Sequence, residues 1–113
     1  MAGAGGMTTQ LLLQRRGLDE NGDPLGDWET AAQVSAEITW LRGGEAVMQA
    51  RLQGQQPVVL RVYKTDITRQ VTAAWRAVDL LDPAQVFAIQ ARTPSAKDPN
   101  CFELMAKMGG SDA

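Results

Sequence analysis

The stretch QPVVLRVYKTDI, residues 56–67, decides the fold class of this chain. Every second residue from Val58 to Val62 is aliphatic, and Val59 and Arg61 lie between them. Side chains alternate between the two faces of a strand with a period of two, so one face of this strand is wholly apolar. Because Val59 makes the second face apolar at its start as well, we predict a central strand.

Five other stretches have the composition or the apolar alternation of strands. They are residues 10–15, 33–41, 70–78, 86–92 and 101–107. Turn-forming residues separate them, and residues 17–27, rich in Gly, Asn, Asp and Pro, are predicted to form a long exposed loop. Strands with turn signals about every dozen residues predict an all-β fold: a small β-barrel or tight sandwich of five to seven mostly antiparallel strands, with at most one or two short helices.

The alternation also predicts which side chains form the core. Each lies on the apolar face of its strand, and the set is Ile38, Leu60, Val62, Trp75, Phe87, Ile89 and Leu104. Residues 45–53 fit two structures equally well. Glu, Ala, Met, Gln and Leu favour a helix, yet the apolar residues of this segment alternate as in a strand. The sequence leaves helix and strand open there.

Length and charge restrict the possible functions. A chain of 113 residues forms one domain, which we place at residues 10–107 between flexible tails at residues 1–9 and 108–113. The net charge of −2 and pI near 5.0 argue against a general polyanion binder. We expect no secretion signal and no membrane span, because no apolar stretch reaches the roughly 20 residues that a spanning helix needs.

The chain offers little for catalysis or metal binding. It has no histidine and one cysteine, Cys101, so His-dependent acid–base chemistry and the usual His or Cys metal sites are excluded. We expect no catalytic residue, no cofactor and no metal. Cys101 is interpreted as a buried thiol, because no histidine can activate it. The acidic residues between Asp19 and Glu29 lack the spacing of a calcium loop and favour a solvated segment.

Several segments, taken in order, resemble the head-tail joining proteins of tailed phages. They are DPLGDW at 23–28, AEITW at 36–40, GGE at 43–45, VVLRVY at 58–63 with Ile67 behind it, and VFAIQA at 86–91. This family is also called head closure, stopper or head-tail adaptor proteins, and it includes versions in gene transfer agents. The resemblance covers residues 15–106. It departs from the family in the tract that contains Arg61, Tyr63, Ile67 and Arg69, which in the family fixes the turn after this strand.

The resemblance implies a structural role in a virion or phage-like particle that is assembled in the bacterial cytoplasm. Such a β-barrel docks as a six-fold or twelve-fold ring between the portal or adaptor protein of the head and a tail terminator or tail tube protein. The ring closes the DNA channel, and packaged DNA passes through it without sequence-specific binding. The free chain is expected to be a monomer. Whether it forms the adaptor or the stopper layer, and whether it belongs to a phage, a prophage or a gene transfer agent, stays open.

On this basis, residues 41–56 are the candidate functional segment, because they separate two strands by more residues than a hairpin needs. Gly43 and Gly44 are predicted to be a hinge. Arg42, Glu45, Arg51 and also Arg69 are the candidate contacts with subunits, partners or the channel. The alternative is an ordinary hairpin in which residues 46–52 form another core strand.

Two other classes of protein stay open. The tryptophans, Trp28, Trp40 and Trp75, would be the stacking platforms of an OB-type nucleic-acid binder, although their apolar neighbours favour core or interface positions. Five isolated arginines would hold DNA in a channel, but ion pairs or subunit contacts are favoured for each, because its neighbours are neutral; they are Arg42, Arg51, Arg61, Arg69 and Arg76. A small enzyme would need two converging carboxylates.

Overall fold

The computed structural model describes residues 7–109 and contains six strands, one helix and one short 3₁₀ turn. The strands are β1 Thr9–Leu18, β2 Pro24–Trp40, β3 Gln55–Tyr63, β4 Arg76–Asp79, β5 Val86–Pro94 and β6 Cys101–Gly109. The helix, α1, spans Glu45–Leu52, and the 3₁₀ turn spans Thr68–Gln70. The predicted tails fall largely on residues 1–6 and 110–113, outside the described part, whereas Thr9 and Met108 lie in strands.

All neighbouring strands are antiparallel and follow the order β1-β2-β3-β6-β5-β4. β4 also pairs with β1, from Leu11↔Asp79 to Gln14↔Arg76, so the sheet closes into a barrel. The predicted fold class is therefore confirmed. Within residues 7–109, no helix has the length and apolar character to cross a membrane.

β3 is a central strand, as the alternation of residues 58–63 predicts. It pairs with β2 from Ala36↔Val62 to Trp40↔Val58, and along its whole length with β6. Its inward side chains, including Leu60, are fully buried. The core is built from such inward residues of all six strands, because alternation places every second side chain inside a closed barrel.

Six of the seven predicted core residues are buried, and Ile38 is only half-buried. Ile38 packs against the core cluster but lies near the end of β2. β1 begins at Thr9, which pairs with Ala36, so β1 does not extend far enough to flank Ile38. Within the described part of the chain, only β3 pairs with β2 at Ile38.

The loop predicted at residues 17–27 is wrong, because β1 and β2 continue through most of it as a hairpin arm. Only residues 19–23 turn. The Asp19 carboxylate accepts hydrogen bonds from the backbone N–H groups of Asn21 and Asp23 at 2.8 and 2.9 Å, which stabilises a tight turn. The arm is mostly exposed on both faces, so it lacks the apolar alternation from which a strand is predicted.

The strand predicted at residues 70–78 is mostly wrong as well, since β4 begins only at Arg76. The preceding chain is organised by the buried Thr68, whose hydroxyl donates to the Tyr63 carbonyl at 2.8 Å and accepts from the Thr65 N–H at 2.7 Å. The resulting turns bring Val71 and Trp75 into the core without a strand. The apolar alternation of Val71, Ala73 and Trp75 predicts a strand, but the backbone is not extended and Ala73 is exposed.

Residues 45–52 form a helix, so the alternative of a core strand at residues 46–52 is wrong. The helix begins after Gly44, whose φ of 92° suits glycine, and ends before Gly54, with a φ of 80°. Among its residues only Ala50 is buried. Because Trp40 and Val58 already pair directly, the chain between them leaves the barrel and returns rather than adding a strand.

Candidate functional site

The barrel has two ends, and its register assigns every connection to one of them. The helix end comprises α1, the connection at residues 80–85, the start of β3 and the end of β6. The hairpin end comprises the turn at residues 19–23 and the connections at residues 64–75 and 95–100. β3 separates the two ends by nine residues, or about 30 Å at the usual rise of a strand.

The structure places the predicted site residues at both ends. Five of them lie together at the helix end and are exposed: Arg42, Gly43, Gly44, Glu45 and Arg51. The sixth, Arg69, lies in the 3₁₀ turn at the hairpin end, with Asp66 at 3.6 Å. Arg69 therefore does not share a surface with the other five.

The segment around α1 is firmly attached at its base. The Gln56 side-chain amide donates to the carbonyls of Leu41 and Pro57 at 2.8 and 2.7 Å, and the Leu41 N–H donates to the Pro57 carbonyl at 3.2 Å. Beyond this base, α1 has no side-chain cap at Gly44. Glu45 lies in its first turn and Arg51 in its last, the arrangement that favours both charges with the helix dipole.

The helix end carries apolar side chains that the barrel does not cover. They and their exposed fractions are Trp40 39%, Met48 53%, Leu52 79%, Leu80 39% and Leu81 90%. Several exposed apolar side chains at one end of a protein favour a contact surface there. Sequence reasoning missed the two leucines, although adjacent leucines inside a turn-forming segment are a recognisable signal.

Two of these side chains are held in defined positions. The Trp40 ring packs edge-to-face on the buried Phe87, with centroids 6.0 Å apart, so its inner edge meets the core while part of it is open to solvent. Leu81 lies in a turn in which the Asp79 carboxylate accepts its N–H at 2.9 Å. The apolar surface is therefore displayed on ordered backbone.

At the hairpin end, the Trp28 ring contacts two guanidinium groups. Arg16 and Arg76 stack on its ring at 4.6 and 4.4 Å from the centroid. Burial lowers the pKa of Arg76, and the neighbouring charge of Arg16 lowers it further. A cavity of about 350 Å³ opens beside this stack.

The tryptophans do not form the stacking platform of an OB-type binder. Trp75 is buried, with Arg15 at 5.3 Å from its ring centroid, and arginines stack on Trp28. Trp40 lies at the opposite end of the barrel, on Phe87. Successive bases need aromatic faces in one groove, and these three rings do not share one.

The remaining candidates are structural. Arg61 pairs with Glu37 at 2.8 Å and lies 3.8 Å from Asp98, and the hydrogen bond to Glu37 raises the pKa of its guanidinium. Cys101 is fully buried, which raises the pKa of its thiol, and the neighbouring Asp98 raises it further. A protonated, inaccessible thiol is a poor nucleophile.

The fold and the two ends define a class: a small closed β-barrel that presents a helix, turns and a hairpin arm as contact surfaces. Comparison with known proteins assigns the family. The model of the phage head completion protein family matches residues 3–108, nearly the whole chain. The chain belongs to the phage head completion protein family, and the resemblance of its segments to head-tail joining proteins is confirmed. It is accordingly a structural protein of the head-tail region of a phage or phage-like particle.

Two solved structures share the fold. One chain, from the virion of a native gene transfer agent particle, has 21% sequence identity and a TM-score of 0.60, with 90% of this chain and 94% of that chain covered. The solution structure of protein SF1141 from Shigella flexneri 2a has 18% identity and a TM-score of 0.58, with 96% and 97% covered. A search of curated proteins found no significant match.

Proposed function

We propose that copies of this chain form a ring between the portal or adaptor complex of the head and the tail, where the ring closes the DNA channel and provides the attachment site for the tail. The family assignment and the barrel with contact surfaces at opposite ends support this proposal. One end faces the head-side partner and the other the tail terminator or tail tube protein. The role is mechanical and requires no catalytic residue.

The observation that carries the proposal is the uncovered apolar surface of the helix end. Burying apolar area stabilises association by about 25 cal/mol per Å², so side chains such as Leu52 and Leu81 favour a docked state over a free one. A monomer gains nothing from exposing them. We therefore assign this end to contacts with neighbouring subunits or with the protein beneath the ring.

The charged residues around α1 complement this surface. Within the described part of the chain, Arg42, Glu45 and Arg51 form no ion pair, which leaves their charges available to a neighbour. Gly43 and Gly44 act as the hinge that lets α1 adjust on docking. The segment carries two arginines and one glutamate, and this low net charge suits a channel wall past which DNA slides.

Arg69 contributes a separate contact at the hairpin end. Its side chain is largely exposed, as is the carboxylate of Asp66 beside it, so the pair contributes little to stability. A partner carboxylate can replace Asp66 at low cost. In the free state we expect a monomer at micromolar concentration, because docking depends on the preformed complex beneath the ring.

The double variant Met48→Ser/Leu52→Ser tests the role of the helix end. Both side chains are exposed, so the monomer should stay folded while particles fail to join tails or leak DNA. The matched control is Gln49→Ser/Gln53→Ser, which changes two exposed polar residues of the same segment and should assemble normally. Normal tail joining by Met48→Ser/Leu52→Ser would overturn the assignment of the helix end to contacts.

A further inference from the structure

We propose that the cavity beside Trp28 binds an extended peptide segment of a neighbouring protein that presents a carboxylate next to an apolar side chain. The cavity lies between the hairpin arm and β5, away from the helix end. The proposal rests on the proposed function only for the source of the peptide, which would be a neighbour in the particle.

The charges of the cavity favour a carboxylate. Arg16 and Arg76 both line it, and among residues 7–109 neither has a carboxylate within 4.0 Å. Two like charges on one indole repel each other, and the pKa of Arg76 is lowered first by burial and further by the charge of Arg16. Guanidinium groups bind carboxylates through paired, charge-assisted hydrogen bonds. A carboxylate that contacts both guanidinium groups at the cavity would offset the repulsion and accept hydrogen bonds from N–H groups other than the Arg76 Nε–H, which donates to Gln14.

Apart from Gln90 and the two arginines, the lining is mostly apolar, and six of its residues carry the apolar contact. These residues are Leu18, Pro24, Ala73, Ala74, Trp75 and Ile89. The volume of about 350 Å³ lies within the range of about 300 to 1,000 Å³ that is usual for ligand pockets. Such a volume accommodates a short stretch of side chains. An apolar residue beside the carboxylate would cover the exposed part of Leu18.

An open strand edge beside the cavity favours a peptide over a free anion. β4 has only four residues and pairs with β1 no further than Gln14↔Arg76. In the described part of the chain, residues 15–18 of β1 therefore have no strand partner on the side away from β2. Unpaired backbone N–H and C=O groups at such an edge accept an added strand.

The surroundings of the cavity disfavour nucleic acid. The hairpin arm carries five acidic residues, namely Asp19, Glu20, Asp23, Asp27 and Glu29. A polyanion would have to run past these carboxylates, whereas a single carboxylate reaches the arginines alone. The net charge of −2 adds to this repulsion.

The test is a titration of the ¹⁵N-labelled full chain with the peptide Ac-GVLDLVG-NH₂, followed by nuclear magnetic resonance. The Trp28 indole N–H, identified by its loss in Trp28→Phe, and the backbone N–H groups of residues 15–18 report binding. We expect saturable shifts of these signals, and the peptide with Asn in place of Asp should bind at least about tenfold more weakly.

Variants of the protein test the same contact by removing its guanidinium groups instead of the peptide carboxylate. Arg76→Gln and, separately, Arg16→Gln should each weaken binding of the Asp peptide by about tenfold or more. Arg76 also donates to Gln14 at 2.8 Å, so Arg16→Gln, whose melting temperature is checked, keeps the test valid if Arg76→Gln unfolds. Lys97→Gln, which removes an exposed cation elsewhere, is the control and should bind normally.

Absence of saturable shifts at peptide concentrations up to about 5 mM would overturn the proposal. Equal binding of the Asp and Asn peptides, or shifts of the same signals by a single-stranded DNA oligonucleotide instead, would also overturn it. These outcomes concern the isolated chain and do not test the proposed ring. Intact peptide binding together with normal tail joining by Met48→Ser/Leu52→Ser would instead count against the proposed role of the helix end.

Discussion

β3 and α1 are neighbours in the sequence but differ strongly in burial. Every second residue of β3 from Val58 to Val62 is fully buried, and both edges of the strand are paired. α1 buries only Ala50 and leaves Leu52 79% exposed. Two residues, Gln53 and Gly54, separate them.

The difference separates the part of the chain that stabilises the fold from the part whose surface stays exposed. Apolar burial is the dominant favourable contribution to folding, and β3 supplies it to the barrel wall. α1 supplies little, so its sequence is free to serve contacts with other proteins. If this division is correct, substitutions in the wall should affect unfolding, and substitutions in α1 should affect assembly.

The largest effect is expected for Leu60→Ala. It removes a fully buried side chain at the middle of β3 and should lower the free energy of unfolding by about 2–5 kcal/mol. Urea denaturation measures the change. Val59→Ala, on the half-buried outer face, is the control and should cost clearly less. Equal effects would show that β3 is not the core strand described here.

Gly109→Ala should have the next largest effect, because it strains the contact between the end of β6 and Gly54, which follows α1. Gly109 has a φ of 91°, and an added Cβ would lie 2.5 Å from the Gly54 carbonyl oxygen. We expect a loss of about 1–3 kcal/mol in thermal or urea unfolding. Gly43→Ala, with open space and no positive φ, is the control. An unchanged stability in Gly109→Ala would mean that this close approach is absent.

Replacing residues 45–53 by a short Gly-Ser turn tests α1 as a whole. Only Ala50 is buried there, so we expect a loss of at most about 1 kcal/mol, roughly one buried methyl group. The hydrogen bonds of Gln56 to Leu41 and Pro57 would remain. The monomer should therefore stay folded, while particles leak DNA or fail to join tails. A loss of stability as large as that of Leu60→Ala would refute the division.

The smallest effect is expected for Leu52→Ser, measured on the isolated chain. The side chain is 79% exposed, and surface substitutions usually change stability by less than about 0.5 kcal/mol. Differential scanning calorimetry should give an unchanged melting temperature within error. A clear destabilisation would show that α1 packs on the barrel more closely than its exposure indicates.

The sequence predicted those elements in which burial and backbone period coincide. β3, β5 and β6 each place one apolar face against the core, and their alternation shows it directly. The hairpin arm escaped prediction because it projects from the barrel and is polar on both faces. Residues 70–75 gave the opposite error: Val71, Ala73 and Trp75 alternate as in a strand, but turns around Thr68 bury only Val71 and Trp75 of these three.

The candidate site was predictable in part for the same reason. An unusually long connection with Gly43 and Gly44 indicated the α1 segment, and the structure makes it a helix with exposed apolar residues. Arg69 could not be assigned to an end of the barrel without the register of β3. The stack of Arg16, Trp28 and Arg76 joins residues up to 60 positions apart, and no local pattern connects them.

By itself, the sequence determined the all-β class, the central strand and the family, because alternation and the order of segments are properties of the chain alone. Only the tertiary structure decided that residues 45–52 form a helix. Helix propensity and strand alternation are balanced there, and the direct pairing of Trp40 with Val58 leaves that segment no place in the sheet. Closure of the barrel likewise depends on β4 reaching β1, a contact between distant residues whose energy no local stretch encodes.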